Sequence, residues 1–467
     1  MTLFLLYALL LTGMGLLEAR RELRAGNGKD AFFVNNRRSG PWQVGISIIA
    51  SCVGGSATLG MAGLAWQAGT PAFWWLGSGA CGLMALTLFL AKKVRESGAS
   101  TMPEMADTFL NGSGQQHAFP LSPRRLVAVI IVPAWLAILA AQFTAMGRLT
   151  ASLTGLEAGA ALILGAGIIV LYALLGGQAS VIRSDVPQFV ILLAGVSLAC
   201  LFLLLRDPAQ LTSAPLELVN EQFPPSRLGY FMAVLGGSYV VCPMLFGRVL
   251  SARDSSSAVS GCRIAVLGLL LCAVIVTMLG ISCRGFVPPD CPPDAVLPAA
   301  LEHMPAWASL ALLLALLSAV LSSADSCLIT ASTVLCNDLL PARTGKEVSR
   351  CRIATLLLGL AALALATRGH GILSLLLMAN DIYVSGVVAP VFCAMILPAK
   401  RRPSSAVSTL ALSCGGMLGL CAALTGVPTF GYWGMGLSAL IVLAGATRHS
   451  GTVAALQQIE PENGKIR

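Results

Sequence analysis

The sequence predicts an all-α polytopic membrane protein of thirteen transmembrane helices, and three observations lead there. Of the 467 residues, 56% are hydrophobic and 11% charged, where an average soluble domain carries roughly a quarter charged residues. Mean hydropathy is +0.81, and the apolar residues form runs of about twenty. Such runs are too long for barrel strands of about ten alternating residues, so the backbone must be satisfied in lipid by helices. The net charge of +9 comes from basic residues in short connectors beside apolar runs. That placement sets topology and excludes a nucleic-acid partner.

The first span, residues 2–17, has no basic segment ahead of it and is followed by Arg20, Arg21 and Arg24. That order reads as a retained helix rather than a cleaved leader. Further spans fall at 43–68, 71–91, 126–147, 157–175, 186–205, 228–247, 261–281, 306–335, 353–367, 371–397, 405–425 and 430–446. With the N-terminus outside, 25 of the 30 Lys and Arg lie on the cytoplasmic side; only Arg148, Arg206, Arg227, Arg284 and Arg368 lie outside. A missed span would scramble this asymmetry, so the C-terminus is expected in the cytoplasm and the chain in the plasma membrane, the inner one in a Gram-negative cell.

No connector exceeds about 35 residues, short of an attached soluble domain, so residues 1–467 read as one transmembrane domain with no obligate protein partner evident. The four histidines lie far apart, and no Cys/His spacing resembles a metal site. Most of the fourteen cysteines fall inside apolar runs as packing residues. Cys283 and Cys291 share an external connector, where an oxidising periplasm would allow a disulfide.

Two spans break near their centres. The span 43–68 carries Gly54-Gly55, and the span 228–247 carries Gly236-Gly237 ahead of Pro243. If 43–205 and 228–397 are five-helix repeats, flanked by peripheral helices at 2–17 and 405–446, both breaks fall in the first helix of a repeat. Interrupted helices at matching positions mark a midplane binding site. In the span 306–335, Ala319, Ser322, Ser323, Ser326 and Thr330 form one stripe at helical spacing, with Asp325 beside it. Isolated intramembrane serines mostly bond back to their own helix. Three hydroxyls with a carboxylate exceed that need and suit a hard monovalent cation completed by carbonyls freed at a break.

These residues carry a resemblance. The segments Ala50 to Gly63, Gly176 to Gln188 and Ala319 to Leu339, together with Pro243 to Asp254, resemble the sodium/solute symporter family, whose fold is the leucine-transporter-type inverted repeat. The resemblance implies a 5+5 inverted-repeat core with two broken helices. It implies a sodium site built from the carbonyls of Ala50, Val53 and Ala319 and the hydroxyls of Ser322 and Ser323. It implies substrate contacts at Ser51, Cys52, Gly54, Gly55, Ser56, Ser238, Tyr239, Asn380 and Tyr383. Cys52 and Cys242 stand where proline carriers of the family have an aspartate and a glutamine. Some members have a second sodium site, which here corresponds to Asp185, Ser322, Asp325 and Ser326.

The expected function is sodium-coupled import of a small organic solute by alternating access, with sodium the coupling ion and no other cofactor. Without an arginine or lysine among the expected contacts, a carboxylate on the solute would rest on helix N-termini and hydroxyls. A proton-coupled symporter of the same fold is the alternative, ahead of a passive channel or a non-transporting sensor. Catalysis is not expected, because no nucleophile, base and orienting group assemble from the intramembrane residues. Asp185 is expected either in the second cation site or as a carboxylate at a helix N-terminus.

Overall fold

The computed structural model describes Gly13 and residues 33–112, 122–175, 178–210, 217–340, 347–369 and 371–446. Apart from Gly13, the expected span 2–17 lies outside the described residues, as do Arg20, Arg21, Arg24 and Gly176-Gly177. Among those described, all regular structure is helical. In chain order the apolar helices are α1 (Pro41–Cys52 and Ser56–Ala68), α2 (Thr70–Glu96), α3 (Pro123–Thr154), α4 (Ala158–Leu174), α5 (Gln178–Arg206) and α6 (Pro225–Ser251). They continue with α7 (Ser255–Gly285), α8 (Ala306–Leu339), α9 (Val348–Ala366), α10 (Ile372–Ile396), α11 (Ser405–Thr425) and α12 (Pro428–Ala444). Nine are long and apolar enough to cross a membrane, ten with the bent α1; α4 and α12 are shorter. Every expected span from 43 to 446 has its helix.

The centre of the bundle is α8, with 89% of its most apolar stretch buried against 28% for α9. It packs on α5, α3, α9 and the first half of α1, while α7 lies against α1, α2 and α5. This explains how α8 holds serines and an aspartate inside a membrane protein: its polar stripe faces other helices rather than lipid.

Both breaks exist, for different reasons. The halves of α1 meet at 67°, with Val53 out of helical geometry at φ −94°, ψ 68°. Gly54 allows the turn to close on α8: a Cβ there would lie 2.6 Å from Ser323 Cβ and 2.8 Å from Gln142 Oε1. In α6 the expected pair Gly236-Gly237 stays helical. The chain instead extends at Val241 and Cys242, because Pro243 lacks an N–H and crowds the preceding turn. Gly236 serves packing, since a Cβ on it would lie 3.0 Å from the Ser78 carbonyl of α2.

Three further expectations change. α5 starts at Gln178, about two turns before Asp185, so Asp185 is interior to a helix and not at its N-terminus. Arg248, assigned by charge asymmetry to a cytoplasmic connector, lies inside α6 and is fully buried. Cys283 and Cys291 are both free thiols. Cys283 is buried at the end of α7, whereas Cys291 Sγ turns to the Pro292 carbonyl.

Candidate functional site

The break of α1 delivers backbone oxygens to the stripe of α8. Ser322 Oγ donates to the Ala50 carbonyl at 2.9 Å and lies 3.1 Å from the Ala319 carbonyl. Ser323 Oγ donates to the Ser51 carbonyl at 2.9 Å and lies 3.4 Å from that of Ala50. Four of the five expected sodium ligands therefore gather at one point. Val53 stands at the break, its N–H bonded to the Ile49 carbonyl 2.9 Å away; among the described residues, no hydrogen bond links it to the other four. Two carbonyls and two hydroxyls, all neutral oxygens, are a donor set that can replace the hydration shell of a hard monovalent cation.

A cavity adjoins this point. Ser51, Cys52, Ser56, Ser238, Tyr239 and Asn380 line it, six of the nine expected substrate contacts. Gly54, Gly55 and Tyr383 do not. Gly54 makes room for Ser323, and Gly55 gives its N–H to Gln142 Oε1 at 2.8 Å. Tyr383 donates to the Val241 carbonyl at the α6 break and packs edge-on to Trp135, so it holds that break rather than walling the cavity. The remaining wall is mostly apolar, aromatic and sulfur-bearing, with Trp75, Trp135, Met244 and Cys327 among its members and Gln142 and Ser323 its polar side chains. Among the described residues no Asp, Glu, Lys, Arg or His lines it.

One helical turn beyond the first point lies a charged cluster. Asp185 of α5, Arg248 of α6, and Asp325 and Ser326 of α8 are all buried. Arg248 Nη2 sits 3.6 Å from Asp185 Oδ2 and donates to Ser326 Oγ. Its Nε donates to Ser47 Oγ at 3.2 Å, and Ser47 in turn donates to Asp185. The residues expected at a second cation site, Asp185, Asp325 and Ser326, thus lie together with a guanidinium among them.

A match to the sodium:solute symporter family spans residues 32–401. The chain belongs to the sodium:solute symporter family. This symporter is accordingly a sodium-coupled transporter and an integral membrane protein. It is 24% identical over 438 residues to the high affinity choline transporter 1 of Homo sapiens, covering 84% of this chain and 72% of that protein. It is 26% identical over 393 residues to the counterpart of Torpedo marmorata, covering 76% and 64%. Among solved structures, a Na+-coupled sialic acid symporter in a substrate-bound, outward-open state shares the fold, with a TM-score of 0.74 and 13% identity over 94% of this chain and 96% of that one. The nucleobase-cation-symport transporter Mhp1 aligns with a TM-score of 0.62 and 14% identity over 88% and 92%.

Sequence reasoning missed Gln142, Trp75, Trp135, Cys327 and Arg248 in this symporter. Gln142 carried a readable signal as a polar side chain well inside an apolar span. Arg248 sat at a span end and read as a topology charge. The tryptophans and Cys327 are amphipathic or apolar residues in apolar helices, and only the packing of α2, α3 and α8 brings them to the cavity.

Proposed function

We infer that this symporter imports a small organic solute with sodium by alternating access, and that the solute is an onium cation, a quaternary ammonium compound in the first instance. Sodium would be held by Ala50, Val53, Ala319, Ser322 and Ser323. The observation that carries the coupling is Ser323, whose hydroxyl belongs both to the oxygen cluster and to the cavity wall. An ion placed there fixes a wall of the solute site and thereby favours the solute-ready state.

The solute class follows from the lining. Trp75, Trp135 and Tyr239 line the cavity with no charged side chain beside them among the described residues, and a desolvated cation over an aromatic face gains about 0.5–2 kcal/mol per ring. An acidic solute is disfavoured on this ground, since among the described residues no guanidinium or ammonium lines the cavity. Relatives named for choline, itself a quaternary ammonium compound, agree with this class.

The test is uptake of labelled choline into proteoliposomes carrying an inward sodium gradient. Saturable uptake that follows sodium, exchanges against unlabelled choline and is blocked by tetramethylammonium supports the reading. Trp75→Leu and Trp135→Leu should each raise KM several-fold, from the loss of about 1 kcal/mol. Uptake indifferent to sodium but driven by a proton gradient transfers coupling to the proton. Preference for a neutral isostere such as 3,3-dimethylbutanol refutes the onium class.

A further inference from the structure

The break of α1 turns a backbone donor, as well as carbonyls, toward its neighbours. The N–H of Gly55, just past the bend, is met by Gln142 Oε1 of α3 at 2.8 Å. An N–H can only donate, so the carboxamide atom facing it must be the oxygen. That contact fixes which way the carboxamide is turned. The fit is close: a Cβ on Gly54 would lie 2.8 Å from Oε1, and one on Gly55 3.2 Å.

With the oxygen committed, the nitrogen is left over. Nε2 carries two hydrogens and accepts nothing, and among the described residues it donates to no group. Gln142 is 2% exposed, yet its Nε2 keeps a little open surface, unlike the sealed and unpaired Nε2 atoms of Gln178 and Gln188. The space that Gln142 borders is the solute cavity. Two N–H donors on a buried side chain therefore face the solute, and a buried donor left without an acceptor costs more than a made hydrogen bond returns.

The wall does not supply the acceptor. The hydroxyls of Ser51, Ser238 and Ser323 are turned to the carbonyls of Ser47, Leu235 and Ser51, and among the described residues no bond joins Ser56 or Asn380 to Gln142. Nor can an onium group supply it, because a quaternary nitrogen has no lone pair. The acceptor must lie elsewhere on the solute. Since no guanidinium or ammonium among the described residues lines the cavity to compensate a carboxylate, an uncharged oxygen suits the site.

We propose that Gln142 is a specificity-determining residue, and that the solute carries an uncharged oxygen acceptor, a hydroxyl, ether or ester, beside its onium group. Nε2 donates to that oxygen while Oε1 holds Gly55. One planar group thus ties the solute to the bend of α1, and a solute with the oxygen steadies the bend where a bare alkyl onium does not. The proposal rests on the onium reading above.

The experiment measures binding to the purified full-length protein in sodium, by tryptophan fluorescence and thermal shift, for three ligands. They are choline, propyltrimethylammonium, in which a methyl replaces the hydroxyl, and glycine betaine, in which a carboxylate does. Choline should bind about three- to tenfold more tightly than propyltrimethylammonium, the value of one hydrogen bond between neutral groups. In Gln142→Met, which keeps an unbranched side chain, the ratio should fall to about one. Loss of the Gly55 bond weakens both ligands alike, so the ratio and not the affinity reads the solute contact. Equal binding of choline and propyltrimethylammonium to the wild type overturns the proposal and leaves the onium reading standing; this arm needs no variant, so a folding defect in Gln142→Met does not shield the proposal. A ratio preserved in Gln142→Met assigns the oxygen to another residue and also overturns it. Tightest binding of glycine betaine overturns the uncharged oxygen. Binding of none of the three overturns the onium reading and this proposal together.

Discussion

Arg248→Met removes one of the largest fully buried side chains among the described residues. Methionine keeps an unbranched stem, so the change deletes the guanidinium more than the packing. The guanidinium reaches Ser47, Ser326, the Met244 carbonyl and Asp185, and Asp185 has no other cation in contact among the described residues. Stranding one member of a buried ion pair costs about 3–5 kcal/mol, whereas replacing both members by neutral residues is often close to neutral. The single variant should therefore lose about 3–5 kcal/mol of stability, and Arg248→Met with Asp185→Asn should recover most of it. Denaturation in detergent micelles, followed by tryptophan fluorescence and by the monodisperse fraction on size exclusion, measures both. A single variant as stable as wild type, or a double variant no better than the single, would refute the ion pair as the organiser of the cluster.

Ser322→Ala and Ser323→Ala should each weaken sodium affinity tenfold or more, about 1.4 kcal/mol, read as the sodium concentration for half-maximal uptake at unchanged protein abundance. Gly54→Ala should cost about 1–3 kcal/mol by overpacking and lower sodium affinity as well, since its Cβ would sit 2.6 Å from Ser323 Cβ; unaltered uptake in this variant would contradict the close approach of α1 and α8. Asp254, outside the spans, caps α7, and the Ser257 N–H holds its carboxyl below the usual carboxylate range. A lowered value means that the stabilisation is present at neutral pH and is lost as pH falls through that range, around 4 and below. The stability gap between wild type and Asp254→Ala should accordingly close on acidification in thermal melts.

What the sequence disclosed depended on whether a signal was local. The α8 stripe was legible because hydroxyls at helical spacing contrast with an apolar background, and Ser322 and Ser323 fall where that spacing puts them. The α1 break was legible because Gly54-Gly55 interrupts an otherwise apolar run. In α6 the same glycine signal misled, since Gly236 answers to the approach of α2 and the break belongs to Pro243. The start of α5 was hidden because Gln178, Ser184 and Asp185 are polar, and a hydropathy window excludes them; burial against neighbouring helices lets the helix begin among them. Arg248 could not be read as buried because its counterion, Asp185, sits on another helix. Trp75 and Trp135 gave no signal at all, being ordinary residues until three helices are packed together.

One segment joins the three parts of the site. From Ser47 to Ser56, α1 gives Ser47 to the charged cluster, the Ala50 carbonyl to the sodium oxygens, and Ser51, Cys52 and Ser56 to the cavity. These residues lie on both sides of a 67° bend, so a change in the angle between the halves of α1 moves all three parts at once. An inward sodium ion carries about 2.3 kcal/mol per 100 mV across the membrane. That energy reaches the solute only if ion binding and cavity shape share a structural element, and α1 is the element they share.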